Sequence, residues 1–387
     1  MGRRVPRRFR QDPLGFLEDL SRRRSAGVFP LPWGGWCVGD PELALAVLRD
    51  PEFNAGLSTF YGDLLPSRPA QIALGHAVRN VLRPRLPEYR ENLAEAVAEL
   101  PAAGRWPETG PALVYRCTAD LLLHPSAAPG LRHLLARSVG AGLLIRSPLM
   151  RERVRVELLR PRLFAALIEH IGQRRAAGGD PDAPRDLLDA VVGACPENTD
   201  DRIVAELYVL LFRSIVGNVG YTVAWTVLLA GLHSAPGAPW PWPPEWIVRE
   251  AARHRPFVWM VGRPVPDPVE FGGVELRPGA ILSVSPYLLH HDERHWNRPD
   301  AFRPERWAHP DERGPYLPFS AGPFICAGAA IAQTMATDAV AALAGGARLT
   351  VVDGDTRPVV TNAAAPQPFT LSRTTRSVTG SPASGRR

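Results

Sequence analysis

The sequence contains no lysine, and arginine therefore carries all of its basic side-chain charge. The formal net charge is +6, and part of the excess lies near the N-terminus, in MGRRVPRRFR and in Arg22-Arg23-Arg24. A basic surface can bind nucleic acid, but the chain has no nucleic-acid recognition motif, so we expect no nucleic-acid partner. Two explanations stay open: docking of an acidic protein, or a solvated surface that reflects a GC-rich genome.

Cysteine is also scarce, and its spacing excludes several kinds of site. The four cysteines, at positions 37, 117, 195 and 326, lie far apart, so neither a zinc knuckle nor a C-x-x-C motif is present. We expect no disulfide framework in a chain of this size without a secretion signal. The basic N-terminus lacks the apolar segment of a signal peptide, which favours a cytoplasmic location.

Length and composition indicate a soluble globular protein. The chain has 387 residues, of which 45% are hydrophobic and 22% charged, so it could form one large domain or two. Its 41 prolines predict many rigid loops. One uncharged run, Ser214 to Leu232, is long enough to cross a membrane. Because Glu206 and Arg213 precede it in the same helical pattern, we expect a buried core helix and no membrane contact.

The most informative segment is Phe319 to Gly328, FSAGPFICAG, which holds one cysteine among small residues. Phe319, Gly322, Cys326 and Gly328 fit the spacing F-x-x-G-x-x-x-C-x-G. Glycine at two of these positions lets the backbone approach something large and flat.

A helix is predicted directly after this segment, from about Ala329 to Leu343, and Gly345-Gly346 ends it. The sulfur of Cys326 should therefore lie at a helix N-terminus, where the dipole and unpaired N–H groups stabilise a thiolate. A thiolate placed in this way suits the axial position of haem iron. The alternative is that Cys326 is a small buried hydrophobic residue.

Two further motifs precede the cysteine. Glu250 and Arg253 form E-x-x-R on a predicted helix, where a spacing of three puts both side chains on one face. The segment FRPERW follows, with Arg306 in its PERW part. In their order and spacing, these motifs and the cysteine segment resemble the cytochrome P-450 superfamily, over almost the whole chain from Asp12 to Leu371.

The resemblance implies a mainly α fold with a smaller β region, in one domain over residues 12–371. Haem b would lie between the long central helix and the helix after the cysteine. Residues 1–11 would form a basic segment, and residues 372–387 a disordered tail. Glu250, Arg253 and Arg306 would form a buried network that supports the haem side of the core.

The resemblance also assigns cofactor contacts. Cys326 would ligate the iron, and Phe319, Gly322, Phe324 and Gly328 would shape the loop around it. Arg263 would bind a haem propionate, and a cationic helix face would bind the other; the candidates for that face are His76, Arg79 and Arg83. This sequence departs from the family in two places: Phe324 stands where arginine or histidine is usual, and Arg79 follows His76 by three residues instead of four.

The central helix carries a further departure. The family motif A-G-x-[D/E]-T, whose acid and threonine relay protons to dioxygen, falls on Ser214 to Asn218. Gly217 replaces the acid and Asn218 replaces the threonine, while Thr222, one turn later, offers a hydroxyl. We take these three as the catalytic candidates. The substrate pocket would be formed by two segments. One is the irregular segment Phe53 to Gln71, which includes Phe60 and Tyr61, and the other is Phe257 to Val261, which includes Val258, Trp259 and Met260.

The function that the resemblance implies is oxidation of a small organic molecule with dioxygen that the haem activates. Electrons would come from a ferredoxin and a ferredoxin reductase, and the pathway would be one of secondary metabolism. Because the acid–threonine pair is absent, atypical chemistry stays open: peroxide use, coupling or rearrangement. A third alternative is a non-enzymatic module that recruits partners, although such a module has no need of a thiolate.

Overall fold

A computed structural model describes residues 6–23, 27–145, 149–178, 180 and 183–375. Helices dominate it, and the α-helices are α1 (Arg7–Gln11), α2 (Pro13–Arg22), α3 (Pro41–Arg49), α4 (Arg68–Leu82), α5 (Leu86–Ala98), α6 (Thr109–Leu122), α7 (Pro129–Gly140), α8 (Met150–Ala177), α9 (Leu187–Ala194), α10 (Asp201–Arg213), α11 (Val219–Leu232), α12 (Pro244–His254), α13 (Pro286–His290) and α14 (Ala329–Ala344).

The strands form small sheets that flank the helices. They are β1 (Val28–Pro30), β2 (Trp36–Val38), β3 (Ala103–Trp106), β4 (Val261–Pro264), β5 (Val269–Phe271), β6 (Val274–Leu276), β7 (Ile281–Val284), β8 (Ala347–Val352), β9 (Val359–Val360), β10 (Ala364–Ala365) and β11 (Phe369–Thr375). One sheet has the order β1-β2-β7-β4, another has the order β3-β11-β8, and β5-β6 and β9-β10 form pairs. The predicted mainly helical fold with a smaller β region is confirmed.

The core is built around one long helix. A π-helical turn at Ser214–Asn218 joins α10 to α11, so that residues 201–232 run on without a break. Helices α6, α12 and α14 pack around α11, and 72% of its most apolar window is buried in the protein. Gly220 allows the closest of these approaches, because a Cβ there would overlap the backbone of Pro111 on α6. The predicted core helix is therefore present.

Local sequence signals set several helix starts. The carboxylate of Asp40 accepts hydrogen bonds from the amides of Glu42 and Leu43 at 3.0 and 3.1 Å, and Pro41 occupies the first helical position of α3. These contacts satisfy amides that have no partner within the helix. The Asp-Pro pair thus fixes where α3 begins.

Two predicted boundaries differ from the structure. The irregular segment expected to reach Gln71 ends earlier, since α4 begins at Arg68. Strand β11 pairs with β8 through Thr375, so residues 372–375 belong to the sheet and not to a tail. The remainder of the predicted tail, residues 376–387, lies outside the described residues, as do residues 1–5 of the basic N-terminal segment.

Candidate functional site

The segment from Phe319 to Gly328 forms a tight loop that exposes Cys326. The amide of Cys326 donates a hydrogen bond of 3.0 Å to the carbonyl of Phe319, which closes the loop. Gly322 has φ +70°, and a Cβ there would lie 2.5 Å from the carbonyl oxygen of Leu48, so glycine is required where the loop rests on α3. The other three cysteines are buried. The alternative of a buried, hydrophobic Cys326 is therefore wrong.

The position of Cys326 does not by itself ionise its thiol. Surrounding protein atoms raise the pKa of Cys326 above its usual value, and the N–H of Gly328 lowers it by less. Helix α14 begins only at Ala329, with Gly328 as its N-cap. Stabilisation of a thiolate by the helix N-terminus therefore stays a prediction. A coordinating metal ion deprotonates a thiol outright, so iron ligation would ionise Cys326 against the effect of burial.

Two arginine side chains converge on Phe324, close to the cysteine. The guanidinium carbon of Arg263, on β4, lies 5.4 Å from the centre of the Phe324 ring, and Arg263 donates to the hydroxyl of Thr59 over 3.0 Å. The guanidinium carbon of Arg68, the first residue of α4, lies 4.7 Å from the same ring. Arg68 also donates to the carbonyl of Pro323 over 2.6 Å. Phe324 is therefore a packing surface for two cations.

Neither of these cations has a counter-charge in the described part of the chain. Arg263 is only 2% exposed, its Nε is buried without a hydrogen-bond partner, and burial lowers its pKa. A buried charge without compensation costs several kcal/mol, about 3–5. The pair Arg263 and Arg68 thus forms a site for an anion from outside the chain. Sequence reasoning missed Arg68, because 255 residues separate it from its partner in the loop.

Tyr61 lies in the same region, while its neighbour Phe60 does not share its burial. Tyr61 is 9% exposed and Phe60 is 43% exposed. Burial raises the pKa of Tyr61 to about 12, the charge of Cys326 raises it further, and that of Arg68 lowers it. Its hydroxyl lies 4.0 Å from a Cβ placed on Gly75 of α4. Tyr61 therefore stands between the cysteine loop and α4.

Helix α4 meets the cysteine loop through Gly75. A Cβ on Gly75 would lie 3.3 Å from Cβ of Ala327, beside the cysteine. Gln71, Leu74, Gly75 and Val78 form the buried face of this helix. At 100° per residue, His76 lies about 100° from Gly75 around the helix axis, whereas Arg79 lies only about 40° from it.

The role of His76, Arg79 and Arg83 in cofactor binding stays a prediction. His76 and Arg83 are exposed, and Arg79 is half-buried on the flank of the helix. The side chain on the buried face that makes polar contacts is Gln71, which accepts from the amide of Ser58 and donates to the carbonyl of Leu65, each over 2.9 Å. Gln71 thus holds the loop that carries Tyr61.

The π-helical turn contains two of the three catalytic candidates. The side chain of Asn218 is half-buried and makes no hydrogen bond to the described residues. The hydroxyl of Thr222 donates to the carbonyl of Asn218 over 2.7 Å, so its proton is engaged within the helix. A Cβ on Gly217 would lie 3.5 Å from Leu144, an ordinary contact that another small residue could make. Such π-turns are common at functional sites.

An aromatic pair adjoins this turn and was missed by sequence reasoning. The rings of Tyr221, on α11, and Phe257 stack with centroids 5.3 Å apart and planes 6° apart. Burial raises the pKa of Tyr221 above its usual value, and the charges of Glu108 and Glu152 act in the same direction. The phenol therefore stays neutral and forms a rigid wall one turn from Asn218.

Two residues predicted to line the pocket pack in a hydrophobic cluster. Trp259 is 8% exposed and, with Met260 against it, belongs to a hydrophobic cluster with α2 and β1. Phe257 instead packs into the core around α11. The segment after α12 is extended, so that neighbouring side chains reach different parts of the protein. The pocket role of Trp259 and Met260 stays a prediction, as does that of Val258, which is 37% exposed.

The structure brings Glu250, Arg253 and Arg306 together, all fully buried. Arg253 donates to both carboxylate oxygens of Glu250, at 3.0 and 2.8 Å, and Arg306 donates to Glu250 over 3.1 Å. Trp307 adds an indole N–H to the same carboxylate over 3.1 Å. One carboxylate thus holds two guanidiniums and an indole, and it joins α12 to the PERW segment.

His290 connects this network to the cysteine loop and was not identified from the sequence. Its Nε2 accepts from the amide of Leu317 over 2.8 Å, so Nδ1 carries the proton that bonds the carbonyl of Arg253, 3.1 Å away. Arg253 in turn donates to the carbonyl of His290 over 2.7 Å. Since Leu317 stands two residues before Phe319, the network fixes the start of the loop.

Comparison with known proteins gives a partial sequence match and a match to the whole fold. A family model described as cytochrome P450 matches residues 245–344. Cyclooctatin synthase of Streptomyces melanosporofaciens is 39% identical over 112 residues, which are 28% of this chain and 24% of that protein. Cyclooctat-9-en-7-ol 5-monooxygenase of the same organism is 36% identical over 114 residues, 28% of this chain and 25% of that protein.

The structural match is broader. A zebra fish cytochrome P450 solved with progesterone superposes with a TM-score of 0.74 at 18% identity, covering 96% of this chain and 100% of that one. The chain thus shares the fold over nearly its full length. It covers only about a quarter of the length of the curated relatives it matches.

Proposed function

We propose that this chain is a member of the cytochrome P450 superfamily and a haem-thiolate monooxygenase that acts on a small organic molecule. The observation that carries the proposal is the exposed Cys326, held in a loop that Gly322 and a buried carboxylate network fix in place. A haem with a thiolate ligand supplies the power to activate dioxygen. The remaining roles fall to residues of this chain.

The residues present fit such a cofactor. Cys326 is exposed and would ligate the iron, and Arg263 offers a buried Nε without a partner. Arg263 and Arg68 would bind the carboxylates of haem b, and Tyr61 would lie beside them. Phe324 has no charge, but it packs against both guanidiniums and orients them.

In the π-helical turn, the side-chain amide of Asn218 would position water for proton delivery. Asn218 has no hydrogen-bond partner within the described residues, so its amide is free to bind a water molecule. The hydroxyl of Thr222 would join only if it released the carbonyl of Asn218. The stacked rings of Tyr221 and Phe257 would exclude water from one wall and favour an apolar substrate.

We propose a substrate from secondary metabolism, in a cytoplasmic enzyme. This is supported by the partial similarity to cyclooctatin synthase and to cyclooctat-9-en-7-ol 5-monooxygenase. Electrons would come from a ferredoxin and its reductase, and the net charge of +6 suits an acidic partner.

The carbon-monoxide spectrum of the reduced protein tests the cofactor. We expect a strongly red-shifted Soret band, which marks thiolate ligation, in the wild type and in the Cys195→Ser control. Cys326→Ser should lose that band, because serine provides no thiolate. A wild-type protein without haem would contradict the proposal, and the recruitment module would then be the better explanation.

The rate of haem transfer to an excess of apomyoglobin tests the arginines without measuring activity. Arg68→Ala should release haem roughly 10–100 times faster, since a hydrogen bond to a charged group contributes about 1.5–3 kcal/mol. Arg277→Ala is the matched control, because Arg277 is exposed and lies outside the candidate site. Equal rates for both variants would show that Arg68 does not hold the cofactor.

Atypical chemistry is the second candidate, and the state of Thr222 favours it. Gly217 cannot carry a proton, and the hydroxyl of Thr222 already donates within the helix. Product analysis under isotope-labelled dioxygen separates the two. Label in the product indicates oxygen insertion, whereas an oxidised or rearranged product without label would favour coupling or rearrangement.

A further inference from the structure

A cleft between α7 and α8 lies apart from the haem site. Its volume is about 270 Å³, close to the lower end of small-ligand pockets, roughly 300 Å³. The described residues that line it are Arg137, Ala141, Arg155, Leu158, Leu159 and Arg162. The cleft therefore combines three guanidiniums with an apolar floor.

In the described part of the chain, none of the three arginines forms an ion pair. Arg137, Arg155 and Arg162 are exposed, and no carboxylate among the described residues lines the cleft with them. Like charges that share one cleft repel each other, and an anion between them would remove that cost. A guanidinium presents a planar fork that matches a phosphate group, and several forks around one cleft favour a dianion over a single carboxylate.

An exposed apolar stripe runs along α8 to the same cleft. Met150, Val154 and Leu158 are 67%, 49% and 68% exposed, and their spacing of four residues places them on one face of the helix. Leu158 belongs to both the stripe and the cleft. Contiguous exposed apolar side chains often mark a binding site, so the stripe indicates a ligand with an apolar part.

We propose that this cleft binds the phosphate group of a phosphate ester with a hydrocarbon chain, and that the chain lies along Met150, Val154 and Leu158. Arg137, Arg155 and Arg162 hold the phosphate, and Leu158 contacts the first carbons of the chain. The site is independent of the haem chemistry. The ester is either free in solution or the headgroup of a lipid.

Calorimetric titration of the full-length, haem-loaded protein with hexyl phosphate tests the free form. We expect saturable binding that is at least tenfold weaker in Arg155→Gln and in Arg162→Gln, and weaker at high salt. Leu158→Ser should weaken hexyl phosphate but leave the weaker binding of inorganic phosphate unchanged. Arg151→Gln is the matched control, because Arg151 is exposed on the same helix but does not line the cleft.

Co-sedimentation with vesicles tests the lipid form. Phosphatidylcholine vesicles that contain phosphatidic acid should co-sediment with the wild type and with Arg151→Gln, whereas vesicles of pure phosphatidylcholine should not. Binding to hexyl phosphate assigns a free ester, and binding to the vesicles alone assigns a lipid headgroup. Because the substituted residues are exposed, the carbon-monoxide spectrum should show intact folding in every variant. Equal binding by the wild type and an Arg155→Gln/Arg162→Gln double variant in both experiments would overturn the proposal.

Discussion

Acidification should destabilise this protein through His290, which joins α13 to the cysteine loop. His290 is fully buried, and its pKa is lowered from 6.5 to about 3 by burial and then by the charge of Arg253. The folded chain therefore keeps the imidazole neutral while the unfolded chain binds a proton. Its contribution to stability is fully present above about pH 6.5 and is lost as the pH falls towards 3.

The size of this effect follows from the shift. Each pH unit below the unfolded pKa costs about 1.4 kcal/mol of the free energy of unfolding for one such group. Between pH 6.5 and pH 5.0, His290 alone should thus remove about 2 kcal/mol. His254 and His291 are buried with pKa values well below the usual range, and burial is the largest cause in both. His254 and His291 should therefore make the free energy of unfolding fall more steeply as the pH falls.

Urea unfolding of the haem-loaded protein at pH 7, 6 and 5 measures this loss. His290→Gln should be less stable at pH 7, because its hydrogen bonds to Leu317 and Arg253 are disturbed, but its pH dependence should be shallower by about 1.4 kcal/mol per unit below pH 6. His133→Gln, on the exposed surface of α7, is the control and should match the wild type. Parallel curves for His290→Gln and the wild type would refute the reasoning.

Three further substitutions test the packing. Glu250→Gln should lower the free energy of unfolding by roughly 3–5 kcal/mol, since two buried guanidiniums lose their carboxylate. Glu245→Gln, on the exposed side of α12, should lower it by only about 0–1 kcal/mol. Urea unfolding measures both. Gly220→Ala should lower the free energy of unfolding by about 1–3 kcal/mol, because the added Cβ forces α11 away from α6. Gly217→Ala should change it by less than about 1 kcal/mol. A larger loss for Gly217→Ala than for Gly220→Ala would contradict the packing described. Gly322→Ala should lower haem content, read from the ratio of Soret to protein absorbance, because its φ of +70° and its contact with α3 both require glycine.

Sequence reasoning succeeded where a short motif determines a local structure. The cysteine loop depends on Gly322 and on a hydrogen bond between residues seven positions apart, and E-x-x-R places two side chains on one helix face. Such relations are contained in spacing alone. The mainly helical fold followed from the same motifs, through the family they resemble.

Sequence reasoning did not reach the contacts between distant segments. The spacing of His76, Arg79 and Arg83 places them near one side of a helix, but does not show that Gly75 is the residue that meets the cysteine loop. Spacing also does not show that Trp259 packs against α2 and β1. The approach of Arg68 to Phe324 leaves no trace in spacing, since it depends on how α4 packs against a loop far along the chain.

The raised pKa of Cys326 has a consequence for the protein before it acquires its cofactor. A protonated thiol reacts slowly with peroxides and with other thiols, because the thiolate is the nucleophile. Before haem is bound, the exposed thiol of Cys326 is therefore less prone to oxidation to sulfenic acid. Haem insertion must then expel that proton, so that incorporation should slow in acidic medium even when the fold is intact.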